Sequence, residues 1–161
     1  MTLLPGTTLR RSRGFTLVEI MVVMVIIGIT LGLVSLNAIP SPQQNLQNEA
    51  KRIALLLQLA RDEAIVRNRL VAFEADSDRY RFLVRNESRW DLLSQDDMLR
   101  ERSYKNPPVT LALDPPAFGP ANALRITFGR EPVDKPFVLT MASGDDAVTI
   151  RADGIGHFDV E

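Results

Sequence analysis

The chain has 161 residues, 45% of them hydrophobic, and a formal charge of −1. It contains no cysteine, so neither a disulfide framework nor thiol chemistry is open to it. Mild acidity gives no electrostatic footprint for nucleic acid, and one histidine without cysteine makes no recognisable zinc set.

The first 14 residues carry Arg10, Arg11 and Arg13 and no acid, so the remainder of the chain sums to about −4. Phe15 to Leu36 follow, 22 apolar or small residues whose single charge is Glu19. As a helix that length crosses a hydrocarbon core of about 30 Å. A carboxylate inside a span costs on the order of 2–3 kcal/mol, so Glu19 needs a partner or a purpose. A secretory signal is cut after its apolar stretch, whereas the small residue Gly14 precedes this one. Cutting after Gly14 removes the basic leader and keeps the helix. Positive residues flanking a span stay cytoplasmic, which sends everything after Leu36 to the other side.

The run Arg13-Gly14-Phe15-Thr16-Leu17-Val18-Glu19 resembles the class III signal of the type IV pilin-like family, which includes type IV pilins and type II secretion pseudopilins. The resemblance implies that a prepilin peptidase cuts between Gly14 and Phe15 and N-methylates the new amino terminus. It also implies that Glu19 serves filament assembly by meeting the amine of a neighbouring subunit. Such a pair would neutralise both charges in an apolar core and fix axial register.

Gly28 and Gly32 stand in GxxxG spacing, which marks either close helix packing or the ordinary tolerance of glycine in spans. Pro40 and Pro42 predict a kink or linker over 37–43, because each lacks an amide donor and disfavours helix in the residue before it. From Gln44 the chain reads as helix again. Leu46, Ala50, Ile53, Leu57, Ala60 and Ala64 form one apolar stripe, with Glu49, Arg52, Asp62 and Arg69 off it. The helix is expected to end near Asn68.

Short strands are expected at Leu70–Ala75, Tyr80–Arg85, Val109–Leu113, Leu124–Phe128, Phe137–Ala142, Val148–Ala152 and Ile155–Val160. Asp76-Ser77-Asp78 joins the first two as a hairpin. Five prolines between Asn106 and Asn122 confine the strand among them to a short edge position. A long helix followed by antiparallel strands is an α+β pattern. About 125 residues beyond the span suffice for one modest core.

That order is similar to the pilin-like fold, in which a long N-terminal helix, transmembrane and then amphipathic, packs on antiparallel sheet. Leu59 to Ile65 leading into Leu70 to Phe73, and Ile150 to Gly156, resemble the minor pseudopilin H branch. The domains expected are a leader over 1–14, a transmembrane helix over 15–36, the linker over 37–43 and a periplasmic pilin-like domain over 44–161.

No catalytic set stands out. His157, in the expected last strand, reads as a structural or surface residue, since no nucleophile signature accompanies it. The acidic pairs Asp76/Asp78, Asp96/Asp97 and Asp145/Asp146 read as solvated turn acids, because no EF-hand loop is present. Trp90 serves either packing or a partner. No cofactor or metal is expected.

The resemblance implies a non-enzymatic structural subunit at or near the tip of the type II secretion pseudopilus. Its partners would be a prepilin peptidase, other major and minor pseudopilins, the inner-membrane assembly platform, and exoproteins or the secretin. It would be a single-pass inner-membrane protein of a Gram-negative bacterium. The alternatives are a minor pilin of a type IV pilus or DNA-uptake machine, and a membrane-anchored periplasmic enzyme. DNA-binding relatives carry a basic C-terminal segment, whereas here no Lys or Arg follows Arg151.

Overall fold

A computed structural model describes residues 15–36, 41–93 and 96–161. The expected leader with Gly14, and residues 37–40 of the expected linker, lie outside them. The chain divides into two compact units, 1–39 and 40–161.

In the first unit, helix α1 runs Leu17–Leu36 and carries Glu19 in its first turn. Its 20 residues extend about 30 Å at about 1.5 Å each. Side chains are described as far as residue 32, and all from residue 15 onward are exposed. Counted over these described side chains, no helix is both long and apolar enough to cross a membrane. Thr30 Oγ1 donates to the carbonyls of Ile26 and Ile27 at 2.8 and 2.9 Å, so this hydroxyl is satisfied within the helix itself.

The second unit opens with α2, Pro42–Val66. The proline expected to interrupt a helix instead begins this one, since its missing N–H falls where no intrahelical bond would form. Ser41 is the N-cap: its Oγ accepts from Gln44 N at 3.1 Å, and Gln44 Oε1 accepts from Ser41 N at 3.2 Å. This reciprocal capping box sets the start two residues earlier than Gln44, where the stripe alone placed it. The six stripe residues, Leu46 through Ala64, are all buried.

Strands β1 (Val71–Ala75), β2 (Arg79–Asn86), β3 (Arg89–Leu92), β4 (Arg102–Ser103) and β6 (Leu124–Phe128) form one sheet. Its order is β3-β2-β1-β6, with β4 pairing the far end of β2. Strands β5 (Thr110–Asp114), β7 (Phe137–Ser143), β8 (Asp146–Ala152) and β9 (Phe158–Val160) form the second, in the order β5-β7-β8-β9. Every pairing is antiparallel. The strand among the prolines is short and at an edge, as its composition required.

Helix α2 lies against β1 of the first sheet and β8 and β9 of the second. Ile53, Leu57, Phe73, Tyr80, Phe82, Leu139, Met141 and Ile150 fill the space between them. Phe73 stacks at 5.4 Å on Phe82 and 5.8 Å on Tyr80, and Tyr104 closes the row at 5.4 Å from Tyr80.

The expected last strand is shorter than its pattern. Residues 153–157 form a turn in which one Asp153 oxygen accepts from the amides of Ile155, Gly156 and His157. Gly154 and Gly156 hold φ of +85° and +116°, so pairing resumes only at Phe158.

Candidate functional site

Thr16 caps α1. Its Oγ1 accepts from Glu19 N at 3.2 Å, and its carbonyl accepts from Ile20 N at 3.3 Å. Glu19 therefore occupies the third helical position, where a negative charge suits the positive end of the helix dipole. Phe15 precedes the cap and is 76% exposed. Among the described residues Glu19 has no salt-bridge partner. Of the motif residues, the structure thus brings Phe15 and Glu19 to one helix start, and Gly14 lies outside the described set. A Cβ added at Gly28 or Gly32 would meet nothing within 4 Å, so these glycines leave an open notch along α1.

Among the described residues the second unit holds three buried charges, all of which sequence patterning assigns to the surface or passes over. Glu49, expected off the apolar stripe of α2, is 7% exposed. It pairs with Arg52 and accepts from Tyr80 Oη at 3.2 Å, while Arg52 Nε donates to the same hydroxyl at 3.1 Å. Burial, with the Glu49 charge adding to it, pushes the Tyr80 phenol up to about 12. Burial likewise raises Tyr104. Its counter-ion Arg52 is one turn along the same helix, but the Tyr80 hydroxyl that both groups share comes from a strand some thirty residues further on, which helical periodicity does not see.

Arg61 is 8% exposed and ties α2 to two distant loops, donating to the carbonyls of Pro132 and Ile155. Its spacing of four from Leu57 and three from Ala64 places it on the buried face, a signal present in the sequence but masked by its charge.

Glu74 sits on β1 on the side away from α2, 3% exposed. Each of its oxygens takes one guanidinium: Arg81 of β2 on Oε1 and Arg125 of β6 on Oε2. Register places all three in one cross-strand row. Burial works against the charge, yet the hydrogen bonds from Arg125 and Arg81 hold this carboxyl below its ordinary value. Trp90 of β3 lies between the guanidiniums of Arg85 and Arg125, 5.4 and 5.2 Å from its centroid. The indole is therefore engaged within the domain.

His157 is exposed at the turn, with Nδ1 2.6 Å from Asp153 Oδ2. The hydrogen bond from His157 draws the Asp153 carboxyl down to about 2, with help from the amides of Ile155 and His157. Asp76 accepts from the amides of Asp78 and Arg79 within the first hairpin, which gives that acid a turn-forming role. Among the described residues no cluster of three or more His, Asp or Glu side chains converges as a metal site.

Comparison with known proteins adds to this geometry. Residues 49–156 match the family model described as type II transport protein GspH, and residues 9–35 match the prokaryotic N-terminal methylation motif. Type II secretion system protein H of Pseudomonas aeruginosa is 34% identical, covering 85% of this chain and 80% of that protein. Its counterpart in Aeromonas hydrophila is 24% identical, covering 91% and 92%. Among solved structures, the Escherichia coli GspH solution structure aligns with a TM-score of 0.57 at 20% identity, over 74% of this chain and 91% of that one. The minor pseudopilin EpsH from the type 2 secretion system of Vibrio cholerae aligns with a TM-score of 0.56 at 18% identity, over 73% and 96%. At those identities the two structures speak for the fold.

Proposed function

Because the chain belongs to the type II transport protein GspH family, minor pseudopilins of the type II secretion system, we propose that it is a structural subunit at or near the tip of a pseudopilus. In that place it helps move folded exoproteins across the outer membrane. A prepilin peptidase cuts between Gly14 and Phe15 and methylates the Phe15 amine. Helix α1 anchors the chain once in the inner membrane, with residues from 41 onward in the periplasm. The assembly platform then extracts it into contact with other pseudopilins.

One observation carries this reading: Glu19 stands in the first turn of an apolar helix and, among the described residues, has no cation of its own. An acid left so in hydrocarbon costs on the order of 2–3 kcal/mol, which a cation from another subunit offsets while setting register. At the tip, where no subunit lies above, that amine comes from a minor subunit beside or below.

The test is complementation of a strain lacking the gene with Glu19→Val, read by exoprotein secretion and by crosslinking to the other pseudopilins. Intact-mass measurement of the wild-type chain beside a prepilin peptidase reads the cut. Loss of residues 1–14, a methyl on Phe15 and failed secretion by Glu19→Val despite normal cleavage are expected. Full secretion with unchanged crosslinks overturns the role of Glu19, and cleavage beyond Leu36 overturns the processing.

A further inference from the structure

Tyr80 spends its hydroxyl on Glu49 and Arg52, whereas Tyr104 Oη is buried and meets no hydrogen-bond partner among the described residues. The whole of Tyr104 is 4% exposed. The fold pins it there: its amide donates to the Asp78 carbonyl at 2.9 Å, and its ring packs 5.4 Å from that of Tyr80. Burial holds the phenol well above the ordinary tyrosine value, so the hydroxyl keeps its proton and is a donor. A buried donor with nothing to bond forfeits a large part of the small net stability of a domain.

A small pit lies beside it. Leu46, Glu49, Tyr104 and Val109 form its buried floor, Pro42 and Lys105 stand on its exposed rim, and it offers about 20 Å³. A water needs about 10–15 Å³, so one molecule fits and a larger ligand does not.

The polar groups around the pit decide what fills it. Both contacts that Glu49 receives, from Arg52 and Tyr80, fall on Oε1, which leaves Oε2 as an acceptor. Asn45 Oδ1 accepts from Lys105 Nζ at 3.2 Å, which fixes that amide and leaves Nδ2 as a donor. Ser143, at the end of β7, lines the same pit with a hydroxyl that can accept. Arg52 already neutralises Glu49, so no charge here calls for a counter-ion. A neutral molecule that takes two donors, gives to two acceptors and occupies this volume is water.

We propose that this pit is a hydration site holding one ordered water, which accepts from Tyr104 Oη and Asn45 Nδ2 and donates to Glu49 Oε2 and Ser143 Oγ. The water joins α2 to the first sheet through Tyr104, the residue after β4, and to the second sheet through β7. It is a structural ligand of the domain, and it stands or falls separately from the role of Glu19.

Both measurements use the full-length chain in detergent micelles. Oxygen-17 relaxation dispersion of the solvent counts waters held for longer than nanoseconds, and Tyr104→Phe should hold one fewer than the wild-type chain. Phenylalanine keeps the ring and its packing on Tyr80, so the substitution isolates the hydroxyl. It should also lower the melting temperature by about 4 °C, the scale of one hydrogen bond in a domain of this size. A hydroxyl without a partner is better removed than kept, so an unchanged or raised melting temperature overturns the proposal. An equal count of held waters overturns it too, even where melting falls, because the hydroxyl then bonds to protein directly.

Discussion

Leu55 and Leu57 are the same residue two positions apart on α2, yet one is 68% exposed and the other fully buried. Replacing each by alanine therefore tests the rotational setting of the helix with chemistry held constant. Leu57→Ala removes three carbons from the core. At about 0.8 kcal/mol per buried methylene the transfer loss is about 2.4 kcal/mol, and the cavity raises it to about 3, inside the usual range of about 2–5. For a domain of roughly 120 residues, where 1 kcal/mol moves Tm by about 4 °C, melting should fall by about 12 °C. Leu55→Ala should stay within about 0.5 kcal/mol, since alanine suits a helix at least as well and no core contact is lost. Thermal and urea unfolding followed by circular dichroism on a fragment beginning at Ser41 would measure both. Equal losses, or a larger loss at Leu55, would refute the packing of α2 described above.

The capping box yields a second expectation: a fragment beginning at Gln43 lacks Ser41 and should be less stable than one beginning at Ser41 by about 1 kcal/mol, with equal melting temperatures counting against the cap. Glycine positions give a third. A Cβ at Gly154 would lie 2.3 Å from the Asp134 carbonyl at φ +85°, whereas Gly144 at φ +60° has nothing within 4 Å. Gly154→Ala should therefore cost about 2–4 kcal/mol and Gly144→Ala about 1, and similar unfolding midpoints for the two would show that the loops yield freely.

Much of this fold was legible in the chain because its signals are local. The stripe from Leu46 to Ala64 repeats at helical spacing, and every member is buried. Leu124–Phe128, bounded by Asn122 and Gly129, begins and ends where composition says it should. The amino-terminal motif is contiguous, which is why a methylation motif over residues 9–35 matches it so directly. What escaped is non-local. Arg89–Leu92 is four residues with two charges, and only its pairing to β2 makes it a strand. Arg102–Ser103 is shorter still. Arg61 and Glu74 look like surface charges because partners that hold them lie far along the chain, and Glu49 because the Tyr80 hydroxyl it shares with its neighbour Arg52 does. Arg61 reaches Ile155 across 94 positions, and Glu74 meets Arg125 across 51. Periodicity ranks residues by polarity, whereas burial of a charge depends on whether the fold delivers its counter-ion.

The capped start of α1 has a kinetic side. If the cut falls between Gly14 and Phe15, the new ammonium appears one residue before the Thr16 cap, at the positive end of the helix, and four positions from its own Glu19. Each free subunit would then carry both halves of the pair proposed above within about one helical turn. In the assembly proposed above, a neighbour's carboxylate would have to displace an internal rival whose effective concentration is high by virtue of being on the same short segment. Thr16 fixes the Glu19 amide in the cap and holds the first turn helical, so the cap sets the geometry in which that rival acts. If the amine of Phe15 and Glu19 do pair between subunits, substituting Thr16 would act on the rate of subunit capture although the residue bears no charge.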